Sequence, residues 1–144
     1  MVRAGAILLT IWSGFNLLLA LGILAAISFF HRDAPALRIL FDPSEIGRLD
    51  AKVLGTVNAL AVFANACAAG FCLLILFVTW PGLAGKSRRA FWALALSTGL
   101  VQAFGFVSDS FLGDRNLIAN LVSTGVLLVG LILSGVSIDM ASRR

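Results

Sequence analysis

Residues 53–80 read VLGTVNALAVFANACAAGFCLLILFVTW, a stretch without a single charged side chain. At 1.5 Å per residue, about 20 helical residues cross a hydrocarbon core of roughly 30 Å, and in lipid the backbone must satisfy its own hydrogen bonds. A membrane β-barrel strand would instead alternate polar and apolar residues over about ten positions. The run Cys72-Leu73-Leu74-Ile75-Leu76-Phe77-Val78 does not alternate, so the stretch reads as a transmembrane helix.

Three further uncharged runs extend that reading, and the spans fall at about 4–30, 53–80, 90–108 and 116–138, with a polar segment at 31–52. The whole chain of 144 residues is 60% hydrophobic and 12% charged, with a mean hydropathy of +1.01. Soluble domains run near 45–50% apolar and about 25% charged, so a soluble fold, a disordered chain and a nucleic-acid binder are all poor explanations. The net charge of +4 comes from eleven Lys and Arg residues that sit between the apolar runs, where they anchor and orient helices. The predicted fold is all-α: a transmembrane antiparallel four-helix bundle, left-handed, with short loops. One longer extracytoplasmic segment joins helices 1 and 2, and residues 1–144 form a single membrane domain.

Ala26-Ile27-Ser28 offers small residues of the kind a signal peptidase prefers, but the apolar run ahead of it exceeds the usual 7–15 residues and contains Asn16. The first span is therefore expected to be a retained helix. In the polar segment Asp42 is placed to cap, Pro43 suits the first helical position and Glu45 the third, so the second helix is expected to begin there and run on into the membrane. Ahead of it, the apolar residues around Arg38 are expected to lie on the membrane surface or over the bundle end. Pro81-Gly82 is expected to stop that helix before a basic turn of Lys86, Arg88 and Arg89, flanked by the interfacial anchors Trp80 and Trp92.

Four spans put both termini on the side of that turn, with Arg3, Arg143 and Arg144. The opposite side has five cations, Arg32, Arg38, Arg48, Lys52 and Arg115, interspersed with most of the acids. Both termini are expected in the cytoplasm of a multi-pass membrane protein.

Helices in lipid associate through small residues that allow close approach and polar residues that bond across the interface. Every span carries such a stripe at alternating steps of three and four. Helix 1 has Ala6, Leu9, Ser13, Asn16, Ala20, Ile23 and Ile27; helix 2 has Asn58, Ala61, Asn65, Ala68, Cys72, Ile75 and Thr79. Helix 3 has Ala95, Thr98, Gln102, Gly105 and Asp109, and helix 4 has Asn116, Asn120, Ser123, Leu127, Gly130, Ser134 and Ser137. Packing alone accounts for these stripes. The sharper alternative is that Asn16, Asn58, Asn65, Gln102 and Asn120 line a polar seam that takes a small solute, a headgroup or an ion. Asp109, with Asp114 and Arg115 nearby, is either an interfacial acid in contact with water or part of an outer entrance.

Self-contained catalytic chemistry is scarce. His31 is the one imidazole, Cys67 and Cys72 lie on different sides of one helix, and Tyr is absent. Two-His haem ligation within one chain is excluded, a zinc site from this chain alone is disfavoured, and no P-loop, GxSxG or HExxH motif occurs. No cofactor, metal or catalytic residue is predicted. The expected partners are the lipid bilayer and either another membrane protein or further copies of the chain, and nucleic acid is not among them.

Residues 57–78, VNALAVFANACAAGFCLLILFV, and 99–125, GLVQAFGFVSDSFLGDRNLIANLVSTG, resemble parts of small bacterial four-helix membrane proteins. The layout is similar to that of DoxX-like proteins, a family associated with quinone-linked sulfur oxidation. The resemblance implies a bacterial inner-membrane protein and carries no residue pattern for that activity. Three functional expectations follow: a non-enzymatic interaction, assembly or accessory subunit; a small-solute, lipid or ion transporter or channel working as an oligomer; and a quinone-linked or lipid-modifying membrane enzyme.

Overall fold

The computed structural model describes residues 2–30, 42–48, 50–111 and 117–142, with backbone alone at 30, 84, 108–111 and 140–142. All regular structure among them is helical: α1 Val2–Phe30, α2 Pro43–Ile46, α3 Ala51–Ala84, α4 Arg88–Phe111 and α5 Leu117–Ser142. Four of these, all but α2, are long and apolar enough to cross a membrane. At 1.5 Å per residue the 34-residue α3 is about 50 Å long, well beyond a core of about 30 Å, so it must tilt or project into the headgroups.

Two helix boundaries differ from expectation. Asp42 does head a helix, its N–H donating to Glu45 Oε2 at 2.7 Å, but α2 lasts only four residues. Gly47 is a weak helix former, and the chain restarts at Asp50, whose carbonyl accepts from Leu54 N–H at 2.9 Å at the head of α3. At the other end, α3 runs through Pro81 to Ala84. A proline removes one backbone donor and its ring presses on the carbonyl four residues back, and α3 continues for only one turn beyond it. The actual stop is a Schellman arrangement, with Ser87 N–H bonded to Gly82 O and Lys86 N–H to Leu83 O, both at 2.9 Å. Lys86 takes the left-handed conformation, φ 53°, that this motif demands at its turning residue. Ser87 then caps α4, its Oγ accepting from Ala90 N–H at 3.2 Å.

The chain divides into two compact units, Met1–Gly14 with Leu73–Arg144, and Phe15–Cys72. In the second unit a small core forms around Ile27 and Leu54, with Ile23, Ile46, Val57 and Ala61 packed against it. In the first unit α4 and α5 form a helical hairpin, and the N-terminal half of α1 lies along α5. A Cβ at Gly5 would collide with Ser134 Oγ and come within 2.7 Å of the Gly130 carbonyl, and one at Gly130 would sit 3.3 Å from Leu8 Cβ. Backbones approach this closely only where side chains are missing.

The stripes agree with burial along much of their length. Ala6, Leu9, Ser13, Ala20 and Ile27 on α1 are buried, as are Cys72, Ile75 and Thr79 on α3, Thr98 and Gln102 on α4, and Leu127 and Ser134 on α5. One position shifts: Ala68 is exposed and its neighbour Ala69 is buried. The outer faces carry large apolar side chains such as Phe15, Phe29, Phe63, Phe77, Leu96, Phe104 and Ile118.

Candidate functional site

Polar groups inside the spans are satisfied mostly within their own helix. Thr79 Oγ1 donates to Ile75 O at 2.6 Å, Thr98 Oγ1 to Leu94 O at 2.6 Å, and Ser134 Oγ to Gly130 O at 2.8 Å. Thr10, Thr124 and Ser137 likewise bond to the carbonyl four residues back. This is how a hydroxyl enters lipid without requiring a partner helix.

A smaller set bonds between helices. Trp12 Nε1 on α1 donates to Ser123 Oγ on α5 at 2.7 Å. Gln102 Nε2 on α4 donates to the Asn120 carbonyl on α5 at 3.1 Å, and Asn120 Nδ2 donates back to Gly105 O at 3.4 Å. A Cβ at Gly105 would stand 3.6 Å from Asn120 Oδ1, an ordinary van der Waals contact, so the α4 backbone there would accept alanine as readily as glycine. Two of the five seam amides are thus brought together.

The other three belong to the Phe15–Cys72 unit. Asn16 is half-buried. Asn65 Nδ2 bonds back to Ala61 O at 2.8 Å. Asn58 differs from the rest: its Oδ1 is closed off from solvent and accepts no hydrogen bond. An unmet buried acceptor costs about 1–3 kcal/mol. Gln102 is buried and Asn16, Asn58, Asn65 and Asn120 are each half-buried, so none of the five lies on a fully exposed face.

Asp109 lies in the last turn of α4, where only the backbone is described, and Asp114 and Arg115 fall outside the described residues. His31 also falls outside them. Cys67 is exposed and Cys72 buried, both as free thiols. Among the described residues no three of His, Cys, Asp and Glu gather into a group fit to hold a metal.

Sequence reasoning missed one feature at the end of the α4–α5 hairpin. Arg88 Nη2 and Asp139 Oδ1 stand 3.2 Å apart, with side chains 64% and 49% exposed. Beside them Phe91, Trp92, Gly135, Val136 and Ile138 complete a groove of about 390 Å³. The signal was available in the register: Arg88 and Asp139 are nearly equidistant from the connection at 112–116, so an antiparallel hairpin brings them level.

No family model, curated protein or solved structure matches this chain.

Proposed function

We propose that the chain is a non-enzymatic multi-pass protein of the bacterial inner membrane that serves as an interaction, assembly or accessory subunit. In this reading the four spans form a left-handed antiparallel bundle, with the Lys86–Arg89 turn and both termini in the cytoplasm. The observation that carries it is where the polar groups go. Span hydroxyls bond back to their own helices, and Gln102, Asn120, Trp12 and Ser123 serve helix–helix contact, while the outer faces present Phe, Leu, Ile and Val. Such faces suit lipid or a second membrane protein. The test is purification in mild detergent followed by identification of stoichiometric membrane partners. Solute flux through liposomes holding the purified chain alone would overturn the reading.

One observation favours a second reading, a polar seam that binds a small solute in an oligomer. The buried Asn58 Oδ1 accepts no hydrogen bond, so a donor supplied by a ligand would be stabilised there. Asn58→Leu separates the two: a subunit keeps its partner, whereas a solute site loses its ligand.

A further inference from the structure

We propose that the groove at the basic end of the α4–α5 hairpin holds an anionic phospholipid, with its phosphate at Arg88 and its glycerol and first acyl carbons against Phe91 and Trp92. Such a site requires a membrane location and not the subunit role.

The groove has a polar mouth and an apolar body. Arg88 and Asp139 stand at the mouth, and Phe91, Trp92, Gly135, Val136 and Ile138 line the rest. Gly135 makes the body possible, because a Cβ there would stand 2.9 Å from Phe91 Cζ. The Phe91 ring therefore lies on the α5 backbone, and Ile138 beneath is 3% exposed. Trp92 closes one side with its ring edge-to-face on Phe91, centroids 5.5 Å apart, while remaining 57% exposed. An exposed tryptophan at the end of an apolar helix marks the headgroup level. From Arg88 to Trp92 the helix rises about 6 Å, the depth of headgroup and glycerol rather than of a whole acyl chain. The volume of about 390 Å³ falls within the roughly 300–1,000 Å³ typical of ligand clefts.

Charge selects the occupant. Lys86, Arg88 and Arg89 are all exposed within one turn, and Asp139 is the single carboxylate paired with them among the described residues. The Arg88 guanidinium uses one nitrogen toward Asp139 and has five N–H donors in all, which suits a phosphate diester. Clustered cations beside a span favour anionic lipid by about fivefold for each cation near the surface. A zwitterionic headgroup could set its ammonium against Asp139, but only an anionic one gains from Lys86 and Arg89 as well, the three cations outnumbering the one paired carboxylate.

The experiment is native mass spectrometry of the full chain released from vesicles of phosphatidylglycerol and phosphatidylcholine in equal amounts, with circular dichroism to verify folding of each variant. The expected result is several-fold preferential retention of phosphatidylglycerol. Arg88→Gln with Arg89→Gln should lower that preference by an order of magnitude or more, and Asp139→Asn should raise it. Val136→Phe, which fills the groove from an exposed position without changing charge, should reduce retention several-fold. Equal retention of the two lipids overturns the proposal, as does a preference that survives the double Arg variant. Full retention in Val136→Phe, or displacement of lipid by millimolar inorganic phosphate, would reduce the site to surface charge and also overturn it. Flotation with vesicles of phosphatidylcholine alone tests membrane insertion separately.

Discussion

Gln102 and Asn120 hold α4 to α5 by an exchange of side-chain and backbone groups: Gln102 Nε2 reaches the Asn120 carbonyl at 3.1 Å, and Asn120 Nδ2 reaches the Gly105 carbonyl at 3.4 Å. The acceptors are both main-chain oxygens, so each amide reads the position of the opposite backbone. The same Asn120 carbonyl also accepts from Thr124 Oγ1 at 2.6 Å, which lessens its dependence on Gln102.

Gln102→Leu is therefore expected to cost little. Interhelical hydrogen bonds in membranes average about 0.6 kcal/mol and reach about 1.7, and the bonded Asn120 carbonyl keeps a donor. Unfolding in mixed detergent micelles should show a loss within that range, and a loss above about 3 kcal/mol would mean that the amide supports more than this pair.

The close approach of α1 to α5 gives a sharper contrast. A Cβ at Gly5 meets Ser134 Oγ and the backbone around it, whereas one at Gly14 meets nothing within 4 Å. Gly5→Ala should destabilise by about 1–3 kcal/mol through overpacking. Gly14→Ala should be neutral or stabilising by up to about 1 kcal/mol, because alanine is the better helix former. Melting curves of the two variants side by side read the difference, and equal effects would contradict the packing of Gly5 on Ser134.

Lys86 sits at φ 53°, a conformation that costs a residue with a Cβ roughly 1–2 kcal/mol. Lys86→Gly should raise stability by about 1 kcal/mol. Ser87→Ala should lower it by about 1 kcal/mol through loss of the α4 cap. Chemical denaturation of both variants should move the midpoint in opposite directions.

With Oδ1 buried and no donor in reach, Asn58→Leu removes an unmet acceptor and should stabilise the purified chain by about 1 kcal/mol or leave it unchanged. Clear destabilisation would show that a donor reaches Asn58 in the membrane.

The amino-acid order alone decided that four segments suit lipid and which edge of most of them turns inward. Both follow from local rules: lipid penalises any charge or open backbone group along a span, and a 3.6-residue period gathers Ala6, Leu9, Ser13 and Ala20 on one face whatever lies opposite. The helix ends at Ala84 and Ile46 were less legible, since Pro81 and Gly47 act through the few bonds around them. Tertiary packing alone decided that Gln102 finds Asn120, that Trp12 finds Ser123, that Ala69 rather than Ala68 is covered, and that Phe91 rests on Gly135 to open a groove beside Arg88. Those outcomes depend on how far each helix slides and rotates against its neighbour. Slide and rotation are set by the sum of many small contacts, which no single helix carries in its own sequence.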